Sequence, residues 1–162
     1  MTRISDTRTR TALSRKTLTN RAKRLAVERQ ILARYWPRFV MQDCPDGPNP
    51  GLVGTMQTQS GTRYAAFVDL QRFPDVPPPV WIVAPRLLDA DGVTLFSRGV
   101  SEQMHILGGN DSMGVKVCHH GEHRWTTAIT LHHVLLKIRI WLEAYEGHLE
   151  SGHPLDHWLK HQ

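Results

Sequence analysis

One cysteine in this chain of 162 residues stands beside two histidines, and a third histidine follows shortly after: the group is Cys118, His119, His120 and His123. Side chains of these types can hold a metal ion, attack a carbonyl carbon, or have no chemical role. The second cysteine, Cys44, has no histidine among its neighbours. The rest of the chain must indicate which of these roles applies.

Zinc binding is one alternative, because the four side chains carry enough donor atoms for a tetrahedral site. Their spacing disfavours it, since adjacent residues rarely turn both side chains onto one ion and structural zinc sites take ligand pairs from separated loops. A zinc-binding module therefore stays as a third hypothesis. The expected site holds no metal and needs no bound cofactor.

Nucleophilic catalysis is the second alternative. The thiolate is the reactive form of cysteine, and a neighbouring imidazolium or backbone N–H group lowers its pKa. His119, His120 and His123 are candidates to accept a proton from the incoming nucleophile or to position it. Asn110 could donate to an oxyanion, and the glycines beside it allow close approach of backbone amides. A buried cysteine is also common as a small core residue, so residue types alone leave both readings of Cys118 open.

The elements around this group follow from periodicity and turn residues. Apolar spacing predicts helices over residues 14–35 and 130–145, the second with Thr130 as its N-cap. Two strand-like runs flank Ser60-Gly61 and predict an antiparallel hairpin, and residues 80–85 predict a buried strand. The glycine-rich stretch 108–114 is predicted to be irregular.

Gly147 is predicted to end the second of these helices, and a further short helix is predicted over residues 155–159. Helices that are separate from an antiparallel sheet indicate an α+β protein. Residues 1–14 are predicted to form a flexible basic arm, and residues 15–162 a single domain.

Charge is concentrated at the N-terminus. Residues 1–30 hold nine Arg or Lys and two acidic residues, a net charge of +7, whereas the whole chain carries +5, which leaves −2 (5 − 7) for residues 31–162. This pattern indicates either a solvated helix face or a docking surface for an acidic partner protein. Nucleic acid is disfavoured, because no aromatic residue is interleaved with these arginines.

Other classes are disfavoured by composition. No apolar run is long enough to span a membrane, and the N-terminal residues do not resemble a signal peptide. Two distant cysteines fit a reducing compartment. A cytoplasmic protein without a membrane partner is the expectation.

Several landmarks occur in an order similar to that of ubiquitin-conjugating enzymes. "FPDVPP" (residues 73–78) resembles the Tyr-Pro-x-x-Pro-Pro segment of that family, with Phe in place of Tyr. A strand follows, then Cys118, then Trp125, and then a Thr-Leu pair (130–131) that opens a long helix. The ordered set covers about residues 15–148. Asn110 stands eight residues before Cys118, where the family's His-Pro-Asn motif places its Asn, but two glycines replace the His-Pro.

The resemblance implies the ubiquitin-conjugating fold: an N-terminal helix, an antiparallel sheet, an active-site cysteine loop and C-terminal helices. It implies that Cys118 forms a thioester with the C-terminus of a partner protein, and that Asn110 or nearby backbone amides hold the oxyanion. Cys118-His119-His120 and the chain's ending are similar to divergent bacterial members from antiphage operons.

Two partners follow from that similarity. One is the C-terminal tail of a cGAS/DncV-like nucleotidyltransferase, in cyclic-oligonucleotide antiphage signalling (CBASS). The other is a ubiquitin-like protein received from a separate activating enzyme. Basic residues on the first helix commonly dock that enzyme in the family. The candidates here are Arg15, Lys16, Arg21, Lys23 and Arg24. A non-catalytic interaction module on the same fold is the alternative.

Overall fold

The computed structural model describes the backbone of residues 5–42 and 50–159 and the side chains of residues 20–42 and 50–159. Within those ranges the chain is an α+β protein, as the sequence predicts. Its elements in order are helix α1 (Ser5–Tyr35), strands β1 (Phe39–Gln42), β2 (Gly51–Gln57), β3 (Arg63–Asp69) and β4 (Val80–Ala84), helix α2 (Leu95–Arg98), strands β5 (Ile106–Asn110) and β6 (Gly114–Val117), and helix α3 (Leu131–Ser151).

The strands form one antiparallel sheet in the order β1-β2-β3-β4-β6-β5. The hairpin predicted around Ser60-Gly61 is confirmed, and it pairs Gly51 with Asp69 at one end and Gln57 with Arg63 at the other. Strand β1 was not predicted, because its four residues are too few to show a period. Strand β6 lies between β4 and β5 in this sheet, and Cys118 directly follows its last residue.

One hydrophobic core joins the inner face of the sheet to α3. Alternate residues of the strands point inward, as the period of two requires, and they share a buried cluster with the apolar face of the helix. Leu131, Val134, Leu135 and Ile138 of α3 are fully buried. The helical spacing read from the sequence is therefore confirmed, and it fixes which side of α3 faces the sheet.

Both ends of α3 have recognisable caps. The Thr130 hydroxyl accepts a hydrogen bond from the His133 backbone N–H (3.2 Å), which confirms the predicted N-cap. The helix continues through Gly147, where the sequence predicted its end, and stops at Gly152, whose φ of 74° suits a residue without a side chain. A single 3-10 turn at Leu155–His157 replaces the predicted short helix.

Two other expectations differ from the structure. Helix α1 begins at Ser5 and not near residue 14, so residues 5–14 belong to it; residues 1–4 lie outside the described part. The early turns contain no Gly or Pro to stop a helix, but they lack the apolar spacing that would reveal one. Residues 108–110 belong to strand β5, because pairing with β6 outweighs the low strand preference of glycine.

Two arginines fasten α1 to the rest of the molecule. Arg21 donates to the backbone carbonyls of Phe73, Leu70 and Gln71, in the connection between β3 and β4. Arg24 donates to the carbonyls of Thr127 and Ile129, just before α3. Both guanidinium groups are therefore hydrogen-bonded to backbone carbonyls of this same chain.

A buried carboxylate completes this attachment. Glu28 is 0% exposed and accepts from Arg24 Nε (2.8 Å) and from the Leu131 backbone N–H (2.9 Å) at the first turn of α3. Negative charge is favourable at that end of a helix. The network ties the two long helices together at one point.

The predicted docking residues are consequently of two kinds. Arg21 and Arg24 hold the fold, so that they are not simply charges presented to a partner. Lys23 is exposed. The side chains of Arg15 and Lys16 lie outside the described residues. Among the helices of the described ranges, none is long and apolar enough to cross a bilayer.

Candidate active site

Cys118 lies directly after strand β6, in the wall of a cleft of about 510 Å³. Its thiol is free and partly exposed, and its backbone N–H donates to the His105 carbonyl (2.8 Å). The cleft is bounded by four parts of the chain: the residue before β5, the loop after β6, helix α3 and the C-terminal segment. Its lining includes Cys118, His119, His120, His123, His105, Lys137, Ile140, Trp141, Trp158 and Leu159. A thiol is therefore accessible in a concave, mixed apolar and polar site. Cys44 lies outside the described residues.

The electrostatic environment keeps this thiol protonated at rest. Burial raises the pKa of the Cys118 thiol, and this outweighs the opposing effects of the Lys137 ammonium and of a hydrogen bond from the His120 backbone amide. Burial also lowers the pKa of Lys137, and the nearby Arg124 charge adds to that effect. Attack by Cys118 therefore requires removal of a proton, so a base within the cleft would be useful.

His119 and His120 form a short chain of hydrogen bonds whose direction follows from its fixed end. His119 Nε2 lies 2.8 Å from the Pro78 carbonyl oxygen, which can only accept, so the proton is on Nε2. His119 Nδ1 is then an acceptor for His120 Nδ1–H (2.7 Å). His120 is left with its acceptor lone pair on Nε2. Of the two rings, His120 is therefore the one that can take a proton.

Both rings are neutral at physiological pH. Burial lowers the pKa of His119 to about 4, against the favourable contact with Pro78. Burial also lowers the pKa of His120 to about 4, and the neighbouring His119, Lys137 and His133 contribute. His120 is consequently a weak base that stays uncharged beside the thiol.

The other sequence candidates occupy different places. His123 is exposed on a 3-10 turn (Glu122–Arg124) and lines the cleft. Asn110 lies at the opposite end of the β5–β6 hairpin from Cys118. Its Oδ1 accepts from the Ser112 backbone and hydroxyl and from the Met113 backbone. Four residue steps along β6 separate the two ends, about 13 Å. The structure does not bring Asn110 to the cysteine, and its carbonyl oxygen serves the turn.

One cleft histidine and its carboxylate partner were not found by sequence reasoning. His105 Nε2 lies 2.7 Å from Asp156 Oδ1, and His105 is the cross-strand backbone neighbour of Cys118. Fifty-one residues separate His105 from Asp156. No local sequence pattern indicates such a pair. The left-handed φ of 52° at His105, unusual for a residue other than glycine, is visible only in the structure. That conformation costs about 1–2 kcal/mol.

Part of the cleft wall is built from the last described residues. Leu155 is fully buried and anchors the segment. Trp158 packs over Gly147 of α3, where a Cβ atom would lie 3.0 Å from the Trp158 Cζ2 atom. Gly147, at which α3 does not end, therefore provides the space for the Trp158 indole.

Trp125 supports the loop after the cysteine. Its indole N–H donates to the Pro74 carbonyl (2.8 Å), and its ring meets Phe73 edge to face at 6.2 Å. The His120 ring lies 5.4 Å from it. The residues of the Pro-rich segment and the landmark tryptophan are thus in contact, and together they position His120.

A metal ion has no evident place here. Among the described side chains, those of residues 20–42 and 50–159, no group of three or more His, Cys, Asp or Glu is arranged to hold one. The Nδ1 atoms of His119 and His120 are bonded to each other, and His119 Nε2 is bonded to Pro78.

The chain matches no protein-family model, no curated protein and no solved structure, so any functional assignment depends on its own residues. What those residues form is an α+β scaffold with a thiol, four histidines and a lysine around one cleft. Such a set can carry out acyl transfer through a cysteine.

Proposed function

We propose that this chain is a ubiquitin-conjugating-like enzyme that carries an acyl group on Cys118 as a thioester. The acyl group is the C-terminus of a partner protein, either the tail of a cGAS/DncV-like nucleotidyltransferase or a ubiquitin-like protein, in bacterial antiviral defence. The observation that carries the proposal is the accessible Cys118 thiol at the end of a strand, inside a cleft that also holds proton-accepting histidines.

The proposed chemistry is thiol exchange followed by acyl transfer. The Cys118 sulfur attacks the carbonyl carbon of an activated acyl donor, a C–S bond forms, and the donor's leaving group departs. His120 accepts the thiol proton through Nε2. A thioester is activated relative to an amide, so the second acceptor can be an amine, another thiol or water.

The order of landmarks also supports the ubiquitin-conjugating fold as part of this proposal. Trp125 contacts both Phe73 and Pro74, and α3 begins shortly after it, at Leu131. Oxyanion stabilisation in this cleft is assigned to backbone N–H groups of the loop after Cys118, since Asn110 lies at the far end of β6.

One observation favours a different function. The raised pKa of Cys118 is what an inert cysteine would also show, as in a non-catalytic interaction module on the same scaffold. The two functions differ in whether a covalent conjugate forms at Cys118.

The deciding experiment isolates the protein from its native cells under acidic, non-reducing conditions and measures intact mass. We expect a thiol-sensitive conjugate on the wild type, a thiol-resistant conjugate on Cys118→Ser, and none on Cys118→Ala. Cys44→Ala is the matched control and should retain the conjugate. Absence of any conjugate, or its loss only in Cys44→Ala, would overturn the proposal.

A further inference from the structure

We propose that His105, held in place by Asp156, is the acid–base residue that discharges the acyl group from Cys118. This inference rests on the proposed function, because it assigns a residue to the second half of that reaction. The geometry that carries it is the placement of Cys118 and His105 in the lining of one cleft, with the Asp156 carboxylate 2.7 Å from the His105 ring.

The backbone brings the imidazole and the thiol to the same place. The register of β5 and β6 pairs Ile106 with Val117, and the next pair along is His105 with Cys118, joined by the Cys118 N–H bond to the His105 carbonyl. The side chains of His105 and Cys118 both line the cleft.

Asp156 sets the tautomer of the ring. A carboxylate can only accept, so the Nε2 atom that faces Asp156 carries the proton and Nδ1 carries the acceptor lone pair. The carboxylate itself is well anchored, because the Asp156 backbone N–H donates to Gln103 (3.0 Å) and the preceding Leu155 is fully buried. A carboxylate in this position also stabilises the imidazolium that forms when the ring takes a proton.

The backbone of His105 offers independent support. Its φ of 52° is a conformation that glycine adopts at no cost and that a side chain makes unfavourable. Such conformations are concentrated at functional sites, where the surrounding structure holds them. A histidine kept at a position suited to glycine indicates that the ring is needed there.

Discharge transfers the acyl group from the Cys118 sulfur to an amine or to water. An amine or water attacks the thioester carbonyl, the new C–N or C–O bond forms, and His105 Nδ1 takes the proton that the nucleophile gives up. The C–S bond then breaks, and the imidazolium returns that proton to the Cys118 sulfur. Proton return matters here, because burial makes the Cys118 thiolate a poor leaving group.

His120 is less suited to this second task. Its Nδ1 is committed to His119, and burial, which lowers its pKa to about 4, opposes the imidazolium that must persist until the C–S bond breaks. Within the described part of the chain, no carboxylate is hydrogen-bonded to the His120 ring. The two histidines are therefore assigned to different half-reactions, His120 to loading and His105 to discharge.

The test uses the mercaptoethanesulfonate thioester of acetyl-Ala-Gly-Gly as acyl donor and the full chain as enzyme. Cys118 is loaded, excess donor is removed, and loss of the acyl group to water and to glycinamide is followed by intact mass. His105→Gly is the main variant, because glycine accepts the left-handed backbone and leaves space for added imidazole. His157→Gln, an exposed histidine in the same C-terminal turn, is the matched control.

We expect His105→Gly to keep the melting temperature and to discharge about 100-fold more slowly, as for loss of a general base. Added imidazole should restore a substantial part of the rate, which a purely structural defect would not permit. Asp156→Asn should also slow discharge, and the double variant should be no slower than the slower single variant. His157→Gln should discharge like the wild type.

The outcomes separate the two proposals. If acyl-Cys118 forms and is lost equally fast in the wild type and His105→Gly, the inference is overturned and the proposed function stands. If His105→Gly is slow but unaffected by imidazole and unfolds at a lower temperature, the role is structural and the inference is again overturned. If Cys118 of the wild type takes up no acyl group, the proposed function itself fails.

Discussion

Removal of Arg24 should show that the basic face of α1 is a structural element. Arg24→Ala leaves the Glu28 carboxylate, 0% exposed, without the guanidinium that lies 2.8 Å from it. Breaking a buried ion pair from one side costs about 3–5 kcal/mol, whereas an exposed pair is worth about 0–1 kcal/mol. Arg24 itself is 22% exposed, and its bonds to Thr127 and Ile129 are lost as well, so the larger range applies.

Thermal and urea unfolding, followed by circular dichroism at pH 7, measure this cost. For a chain of this size each kcal/mol lowers the melting temperature by about 2–4 °C, so the expected decrease is about 6–20 °C. Lys23→Ala is the control, since Lys23 is exposed on the same helix, and its effect should stay within about 0.5 kcal/mol.

A double-mutant cycle isolates the ion pair. Glu28→Gln keeps an acceptor for the Leu131 N–H and removes the charge, so Arg24→Ala in that background should cost about 1–2 kcal/mol, the price of hydrogen bonds alone. A cost below about 1 kcal/mol for Arg24→Ala in the wild type would refute the reasoning, because Glu28 would then have found another partner or become solvated.

Three further predictions follow from the site and its supports. Alkylation of Cys118 by iodoacetamide at pH 7.5, mapped by peptide mass, should be slower than alkylation of a free cysteine peptide, because burial raises the thiol pKa. It should be slower still in Lys137→Ala, because loss of the ammonium raises that pKa further. Faster alkylation in the variant would contradict this prediction. The folded-state pKa of His119, about 4, lies below its ordinary value of 6.5. The stability that this difference contributes is therefore fully present above pH 6.5 and falls by up to about 3 kcal/mol as the pH falls through 4. The melting temperature of His119→Asn should depend less on pH in that window, and an unchanged slope would count against this reasoning. Leu131→Ala and Trp125→Ala should destabilise the fold, Leu131→Ala by about 2–5 kcal/mol, and an unchanged melting temperature in Trp125→Ala with loss of activity would make Trp125 a site residue instead.

The docking prediction for α1 must be tested without the structural arginines. Reversal of Lys23 together with Arg15 and Lys16 should slow thioester formation most strongly at low salt, because charges at the rim of an interface act mainly on the association rate. The measurement is loading rate against ionic strength, alongside unfolding to show that the fold is kept. Equal rates at every salt concentration would leave these residues as a solvated helix face.

The sequence predicted those features whose cause is local. Helix α3 follows from apolar spacing, its N-cap from Thr130, and the β2–β3 hairpin from Ser60-Gly61. Strand β5 was missed, since Gly108 and Gly109 have little intrinsic strand preference and pair only because β6 lies beside them.

Features that depend on distant residues could not be predicted. Arg21 and Arg24 look like solvated charges in sequence, but their carbonyl partners are 49 to 105 residues away. The same holds for His105 and Asp156, which are 51 residues apart. Cys118 and its neighbouring histidines were located from residue type alone, whereas the tautomers of those histidines required the position of the Pro78 carbonyl.

Gly147 has a consequence for efforts to engineer this protein. Glycine inside a helix is the usual first target for thermal stabilisation, because alanine there gains about 1 kcal/mol of helix propensity. Here the new methyl group would lie 3.0 Å from the indole of Trp158, a side chain that is 41% exposed and therefore able to yield. The substitution would move one wall of the cleft while improving the helix. A more heat-resistant variant selected at this position would be a variant with an altered site.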